Sequence, residues 1–369
     1  MSGGFASAFA EGQGLGAKCL AGLGDTSGAT LGIVYVSEPA AGSLPGLVRE
    51  LAKGTGIAEW VGGVGLGICA AGHEVYDRPA ASVLTAAVPE ESFRVFGSTD
   101  DPGRDLPRDH AKWIEAVQPS LALVHADPRC PDLTRAAIDA GTATGAFLVG
   151  GLVSHQCDAP LVAGLELGGG GMSGLLLSSA VSVATALTQG CSPVGPVRTI
   201  DEAQDNIVIK IDGRPALEVF LEDIGPELAQ NLRRLGGTIF VGLPVAGSDT
   251  GDYLVRNLMG IDPRQGWIAL AAEVAPGDKI MFTRRDPESA KKDLVRMLTQ
   301  LGGRLSGKPR GGVYVSCIAR GMSLFGEPAV ETGLIRDTLG DFPLVGFFAN
   351  GEISRDRLYG YTGVLTLFT

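Results

Sequence analysis

Two kinds of hydrophobic pattern alternate along the chain and predict its secondary structure. Short runs rich in Val, Ile, Leu and Phe, bounded by Gly or Pro, predict strands at 31–36, 120–125, 207–211, 238–243, 312–317, 344–349 and 363–368. Apolar residues at helical spacing predict amphipathic helices at 43–54, 131–141, 226–236, 286–303 and 328–340. Four of these segments begin with Pro at or near their first residue, and all five close at Gly, as helices commonly do. This alternation favours a layered α/β architecture.

A weak internal repeat refines the fold prediction. Three times a strand broken by glycine leads into a polar turn and a second strand, at 61–75 with 81–88, at 147–166 with 173–177, and at 345–353 with 361–368. Neighbouring strands in each repeat are expected to pair antiparallel, which makes the sheets mixed. We therefore predict an α/β (mixed α+β) fold of two halves, with mixed, largely antiparallel sheets flanked by helices. Residues 188–212 form the expected passage between the halves.

Composition and charge narrow the class of protein. The 369 residues are 45% hydrophobic and 19% charged, which excludes disorder for most of the length and indicates two or three domains. The net charge of -11, without a cluster of Lys and Arg, argues against nucleic acid as a partner and against binding to anionic membranes. The uncharged stretch 167–197 is interrupted by Gly, Ser and Thr, so we predict buried strand and loop there. Six scattered Cys and no visible secretory signal favour a cytoplasmic protein with reduced thiols.

The clearest chemical pattern lies near the C-terminus, where a predicted strand ends in Cys317 and is followed by Arg320 and Gly321. Ligands of layered α/β proteins bind at strand ends, and a guanidinium suits a carboxylate or phosphate. The structural alternative is that Cys317 is a buried small hydrophobic residue, the usual state of a free Cys.

A second strand end carries Asn350, Gly351 and Glu352, which together could hold an ammonium or hydroxyl group. The structural alternative here is a tight Asn-Gly turn. His73 and His155 lie in the polar turns of the repeat and are weaker candidates for ligand contact, with a structural role as the alternative.

Cofactor and metal motifs are not indicated. Residues 302–308 have phosphate-loop spacing, but Pro309 stands where Ser or Thr would bind magnesium. Residues 65–70 resemble a dinucleotide fingerprint but precede a strand instead of a helix. The four His residues lack metal-binding spacing, so we expect no metal and no cofactor.

Taken together, the stretches 313–321, 346–353 and 361–368 resemble the C-terminal part of the FIST family. Residues 190–196 and 212–217 resemble the link between that family's two parts, and the glycine-rich segments 61–74 and 147–166 resemble its N-terminal part. The resemblance implies a loosely packed start at 1–29, a FIST N-terminal domain at 30–215 and a FIST C-terminal domain at 216–369. It also implies an intracellular sensor of small ligands, with amino acids as one candidate class, that signals through a partner protein.

Three functions are open at this point. In the first, a sensor without catalysis, Arg320 would hold an anionic group, and Asn350 and Glu352 a polar one, around a hollow open to solvent. In the second, the protein is a Cys-dependent hydrolase or transferase with Cys317 as nucleophile, its thiolate favoured by Arg320, and His73 or His155 as base. In the third, it is a protein-interaction scaffold that binds no small ligand.

Overall fold

The computed structural model of the chain describes residues 4–154, 156, 160–229, 236–245 and 252–369. The chain divides into two compact units, one formed by Met1–Thr188 with Leu294–Thr369 and the other by Gln189–Asp293. The first unit therefore contains residues of both segments, 30–215 and 216–369, that the family resemblance assigned to separate domains.

Strands and helices alternate as the hydrophobic pattern indicated, and the mixed α/β class is confirmed. The strands are β1 Phe5–Glu11, β2 Leu31–Ser37, β3 Glu59–Gly65, β4 Gly67–Ala70, β5 His73–Val75, β6 Ala80–Ala86, β7 Phe93–Thr99, β8 Leu121–Ala126, β9 Phe147–Leu152, β10 Leu161–Ala163, β11 Glu166–Gly168, β12 Met172–Leu177, β13 Val183–Gln189, β14 Cys191–Pro193, β15 Arg198–Gln204, β16 Ile207–Ile211, β17 Arg214–Pro215, β18 Ile239–Pro244, β19 Tyr253–Asp262, β20 Trp267–Leu270, β21 Lys279–Arg285, β22 Gly311–Cys317, β23 Leu344–Ala349, β24 Glu352–Ser354, β25 Arg357–Tyr359 and β26 Thr362–Phe368. The helices are α1 Leu15–Leu23, α2 Leu44–Thr55, α3 Pro102–Val117, α4 Leu133–Thr144, α5 Ala216–Ile224, α6 Pro226–Ala229, α7 Pro287–Gly302, α8 Gly321–Phe325 and α9 Val330–Leu339. Of the predicted helix at 226–236, residues 230–235 lie outside the described part of the chain.

Three copies of one motif build the first unit, and they correspond to the predicted repeat. In each copy two parallel strands are joined through helical structure, as β2 and β3, β8 and β9, and β22 and β23. The last strand of each copy, β6, β12 or β26, returns antiparallel to the first strand. The motif thus combines parallel and antiparallel pairs within one sheet, which confirms the predicted mixed sheets. The expected antiparallel pairing between the two strands of each repeat is wrong, because both strands, β3 and β6 in the first copy, lie on either side of the first strand and pair with it.

Between its second and last strands, each copy sends a short hairpin into the sheet of another copy. The β4–β5 hairpin pairs with β23, the β10–β11 hairpin with β3, and the β24–β25 hairpin with β9. The three six-stranded sheets therefore have the orders β1-β6-β2-β3-β10-β11, β25-β24-β9-β8-β12-β7 and β13-β26-β22-β23-β4-β5. This cyclic exchange ties the N-terminal and C-terminal parts of the sequence into one unit.

The glycines that break the repeat strands are required by close packing between parallel strands. Gly62, Gly150 and Gly346 occupy corresponding positions in β3, β9 and β23, and a Cβ atom at any of them would overlap a carbonyl oxygen of the neighbouring strand. Gly62 and Gly150 also have φ values of 145° and 144°, which other residues rarely adopt. These positions explain why the repeat is visible in the sequence as a glycine pattern.

The inward faces of the three sheets contribute to one apolar core, and Tyr35 of this core forms a polar pair with His125. The hydroxyl of Tyr35 lies 2.9 Å from Nε2 of His125, and the ring of Tyr35 packs 4.8 Å from that of Phe347. Burial lowers the pKa of His125 to about 3, so the imidazole is neutral. The core therefore holds a polar contact but no charge at this point.

The start of the chain differs from the loosely packed segment expected. Residues 5–11 form an antiparallel pair with β6 over their whole length, and α1 buries Leu15, Cys19 and Leu23. The reason is that small Ala and Gly residues, which read as flexible in the sequence, let this strand and helix pack closely. The expectation for 1–29 is therefore wrong for the described residues from 4 onward.

The second unit is a single antiparallel sheet that closes on itself. Its strands follow the order β14-β21-β15-β16-β20-β19-β18, and β18 also pairs with β21. Helix α5 packs its apolar face on this sheet, with Phe220 against Phe282 at a ring separation of 4.9 Å. The predicted passage between the halves, 188–212, mostly forms strands of this sheet.

Candidate functional site

Arg320 lies at the carboxyl end of β22, in the turn that leads to α8. Its backbone N–H donates to the carbonyl of Cys317 at 2.8 Å, and its side chain is 0% exposed. The guanidinium forms an ion pair with Glu331 of α9, with Nε 2.7 Å and Nη2 2.6 Å from the same carboxylate oxygen. The anionic partner of Arg320 is therefore a residue of the chain itself.

Glu331 is held in place by groups from β22 as well as by the guanidinium. The hydroxyls of Tyr314 and Ser316 donate to its two oxygens at 2.7 and 2.8 Å, and the N–H of Gly321 donates at 3.4 Å. Burial lowers the pKa of Arg320, but the Glu331 carboxylate outweighs it, so this pKa lies above its usual range. The pair is thus charged and tightly anchored.

Glu352 begins β24 and is also 0% exposed. Its Oε2 accepts hydrogen bonds from the N–H of Thr362 at 3.1 Å and from the hydroxyl of the same residue at 2.7 Å. Burial raises the pKa of Glu352 to about 8, although Thr362, Arg320 and the Cys317 thiol each lower it. Glu352 is therefore largely protonated at neutral pH.

Cys317 lies beside Glu352 and does not carry the thiolate that the sequence suggested. Burial and the Glu352 carboxyl raise the pKa of Cys317, and the opposing effect of Arg320 is smaller. The expectation failed because the strand end is closed over by protein, and a low dielectric penalises the charged thiolate.

The structure brings together most of the residues predicted from the two C-terminal strand ends, but in a closed position. Arg320 acts on the charge of both Glu352 and Cys317, so the three share one environment, which we call the Arg320 centre with Glu331 and Thr362. Gly321 and Gly351 adjoin it and have φ values of 47° and 143°. The expected hollow open to solvent is wrong, since Arg320 and Glu352 are fully buried.

The other predicted site residues lie elsewhere. Asn350 is exposed. His73 is also exposed and stacks on Phe9 with ring centroids 4.5 Å apart. His155 lies outside the described residues. Their part in ligand binding stays a prediction.

Sequence reasoning missed Glu74, which connects the exchanged β4–β5 hairpin to the region of the Arg320 centre. Its carboxylate accepts hydrogen bonds from the N–H of Met322 at 3.0 Å and from the N–H of Ala329. Burial raises the pKa of Glu74 to about 7, and the nearby Glu331 charge adds to the effect against the two hydrogen bonds. The sequence feature that could have identified Glu74 is its position next to His73 at the end of a glycine-rich segment.

A cleft with a volume of about 540 Å³ opens at the carboxyl end of β8. Among the residues that line it are Asp100, Asp127, Arg129, Gly168, Gly169 and Gly170. Sequence reasoning missed this cleft, although an Asp-Pro-Arg segment follows the predicted strand 120–125 in the position where ligands of α/β proteins are held. A second cavity, of about 470 Å³, is lined in part by Thr30 and Glu59, which lie at the amino ends of the parallel strands β2 and β3.

Asp127 organises the wall of the β8 cleft. Its side chain is 1% exposed and pairs with the 53% exposed Arg129, whose Nη2 lies 2.7 Å from Oδ2. The hydrogen bond from Arg129 lowers the pKa of Asp127, so the carboxylate is ionised. The N–H of Asp127 donates to the carbonyl of Gly171 at 2.8 Å, and the N–H of Gly170 donates to the carboxylate. One carboxylate thus fixes both the arginine and the glycine turn.

Gly169 leaves space in the lining of the β8 cleft. A Cβ atom added at this residue would meet no other atom within 4 Å, and its φ is not in the left-handed region. A ligand can therefore approach the backbone here closely.

Among the residues that the structure describes, no three His, Cys, Asp or Glu side chains are grouped as a metal site requires. In the same part of the chain, no helix has both the length and the apolar character needed to cross a membrane.

Comparison with known proteins identifies the family. The model of the FIST N domain matches residues 30–214, and that of the FIST C domain matches residues 216–355. The chain belongs to the FIST family. FIST domains are associated with the binding of small ligands in signalling, and the sequence resemblance is confirmed.

This FIST protein has relatives in mycobacteria. An uncharacterized protein of Mycobacterium tuberculosis is 30% identical over 326 residues, which cover 84% of this chain and 84% of the relative. An uncharacterized protein of Mycobacterium bovis is 29% identical over 336 residues, which cover 84% of this chain and 82% of the relative. The similarity to both extends across most of the FIST N and FIST C regions.

Proposed function

We propose that this FIST protein senses a small zwitterionic metabolite, with amino acids as the first candidates, and that the ligand binds in the β8 cleft. The observation that carries the proposal is the pairing of an ionised carboxylate and a guanidinium, Asp127 and Arg129, on the wall of a cleft of about 540 Å³. Cavities of roughly 300–1,000 Å³ are the usual size for sites that bind small molecules.

The lining of the β8 cleft matches both ends of a zwitterion. Arg129 is half exposed, so its guanidinium can hold a carboxylate group while staying paired with Asp127. The exposed Asp100 supplies negative charge for an ammonium group. The open backbone at Gly169 lets a small ligand approach the turn without a side chain in its way.

The same contacts suggest how occupancy reaches a signalling partner. Asp127 holds the turn at Gly170 and Gly171 on one side and Arg129 on the other. A ligand that binds Arg129 would alter the contacts of Asp127 with Arg129 and with the glycine turn. The population of turn conformations would then shift, and a partner protein can bind one of these conformations selectively.

We place this sensor in the cytoplasm. In the described part of the chain, Cys19, Cys69, Cys130 and Cys317 are free thiols. Cys residues outside disulfides are typical of proteins in reducing compartments.

Isothermal titration calorimetry with each of the twenty amino acids tests the proposal. Gly169→Val should weaken binding at least tenfold, because the new side chain fills part of the β8 cleft. The fold should stay intact, since a Cβ atom at Gly169 meets no other atom within 4 Å. Gly97→Val is the matched control, since a Cβ at Gly97 also has nothing within 4 Å but lies outside the cleft. If no amino acid binds, or if Gly169→Val binds as the wild type does, the proposal fails.

A further inference from the structure

Nη2 of Arg320 pairs with Glu331 at 2.6 Å, but two other buried polar atoms of the Arg320 centre have neither a hydrogen-bond partner nor an ion-pair partner within the described chain. They are Nη1 of Arg320 and Oε1 of Glu352, and both side chains are 0% exposed. The two groups form neither a hydrogen bond nor an ion pair with each other, although the guanidinium acts on the Glu352 carboxyl. A buried charged donor without an acceptor is costly, so this pair calls for a third group.

The hydrogen bonds of Glu352 define what the third group must be. Because Oε2 already accepts from the N–H and the hydroxyl of Thr362, the carboxyl proton belongs on Oε1. Oε1 is then an O–H donor, and Nη1 of Arg320 is an N–H donor. Two unpaired donors in one buried centre require an acceptor, and a charged donor bonds most strongly to an anion.

We propose that Arg320 and Glu352 together bind one small anion, of the size of a halide or nitrate, at an enclosed site separate from the β8 cleft. The proposal goes beyond ligand sensing in that cleft and does not depend on it. Asp127 and Arg129 of the cleft follow β8, whereas Arg320 follows β22 and Glu352 begins β24.

Anion binding at this site should be coupled to a proton. Three residues lower the pKa of Glu352: Arg320 from the turn after β22, Cys317 from the end of β22 and Thr362 from the start of β26. Glu331 of α9 is the ion-pair partner of Arg320. The pKa of Glu352 is raised to about 8 by burial, so the donor form is present at pH 7 and is lost above pH 8. The anion therefore binds the protonated form, and its binding above pH 8 takes up one proton from solvent.

Bromide is the probe for the test. Crystals grown in sodium bromide should show an anomalous peak between Nη1 of Arg320 and Oε1 of Glu352. Titration of the protein with bromide should give an affinity about tenfold weaker at pH 9 than at pH 7, because a site that requires a group with a pKa of about 8 loses its donor over this range.

Two variants give the proposal a sharper test. Glu352→Gln keeps an N–H donor that does not titrate, so bromide affinity should be equal at pH 7 and pH 9. Arg320→Lys keeps a charge for Glu331 but lacks the Nη1 donor, so affinity should fall at least tenfold. Arg129→Lys in the β8 cleft is the control and should bind bromide as the wild type does.

The outcomes separate this proposal from the function of the cleft. A peak without anomalous signal, which is a bound water, would overturn it, as would a wild-type bromide affinity that is independent of pH. Amino-acid binding should be unchanged in Glu352→Gln, so failure at either site leaves the other proposal standing.

Discussion

Replacing Glu331 by Gln removes the carboxylate that compensates the buried charge of Arg320. The guanidinium is 0% exposed, and its Nε and Nη2 lie 2.7 and 2.6 Å from one oxygen of Glu331. Glutamine keeps the size of the side chain and an acceptor oxygen, so the change isolates the loss of charge.

The expected cost is large because the pair is fully buried. Breaking a buried ion pair by removing one partner costs about 3–5 kcal/mol, since the other charge is left uncompensated. The amide group of the introduced glutamine would also turn an N–H donor toward the hydroxyl of Tyr314 or Ser316, which adds to the loss. We therefore expect Glu331→Gln to lower the free energy of unfolding by about 3–5 kcal/mol.

Urea denaturation followed by tryptophan fluorescence measures this change. A Trp267→Phe background removes the tryptophan of the second unit, so Trp60 and Trp113 report on the first unit. Asp139→Asn is the control, because Asp139 pairs with Arg135 on the surface of α4, and surface pairs contribute little.

A double-mutant cycle decides whether charge is the cause. Arg320→Met combined with Glu331→Gln should cost less than the sum of the single changes, because the double variant buries no uncompensated charge. A loss below about 1 kcal/mol for Glu331→Gln, or strict additivity in the cycle, would refute the description of this pair as buried and charged.

The remaining predictions concern the strands and the core. Gly150→Ala should lower the midpoint of thermal unfolding sharply or prevent folding, whereas Gly42→Ala, where a Cβ has nothing within 4 Å, should leave it unchanged. Because the folded-state pKa of Glu352 is raised from 4.5 to about 8, its stabilisation is complete below about pH 4.5 and lost as pH rises through 8. From pH 5 to pH 8 the free energy of unfolding of the wild type, measured with urea, should fall by up to about 4 kcal/mol more than that of Glu352→Gln. Tyr35→Phe removes the contact with His125 and should cost about 1–3 kcal/mol in the same assay. An unchanged midpoint for Gly150→Ala, or an unchanged free energy of unfolding for Tyr35→Phe, would count against the close packing or the contact that the variant alters.

The elements that the sequence predicted well are those with strong hydrophobic periodicity. Helix α2 buries Leu44, Leu47, Val48 and Leu51 on one face, the spacing that identified it. Helix α3 was missed because Pro107 lies inside it and most of its residues are polar. Strand β1 and helix α1 were missed because their packing depends on small residues, which carry little hydrophobic signal.

The candidate site could be predicted in part. Cys317, Arg320 and Glu352 were found because polar residues at the ends of apolar strands are conspicuous. Glu331 was not found, since an acid in the first turn of a helix is common on protein surfaces and gives no sign of burial. The closed state of the Arg320 centre depends on a hairpin that arrives from a distant part of the sequence, and no local pattern encodes that contact.

The exchanged hairpins also constrain how the chain acquires its structure during synthesis. Ile68 of β4 pairs with Phe347 of β23, so the first hairpin has no sheet to join until β23, nearly 280 residues further along, has left the ribosome. Contacts this distant in sequence make folding slow and leave strand edges open to aggregation in the meantime. A fragment that ends at residue 214 would therefore lack the partner strand of its own first hairpin. A chaperone that shields such edges would raise the yield of the folded protein.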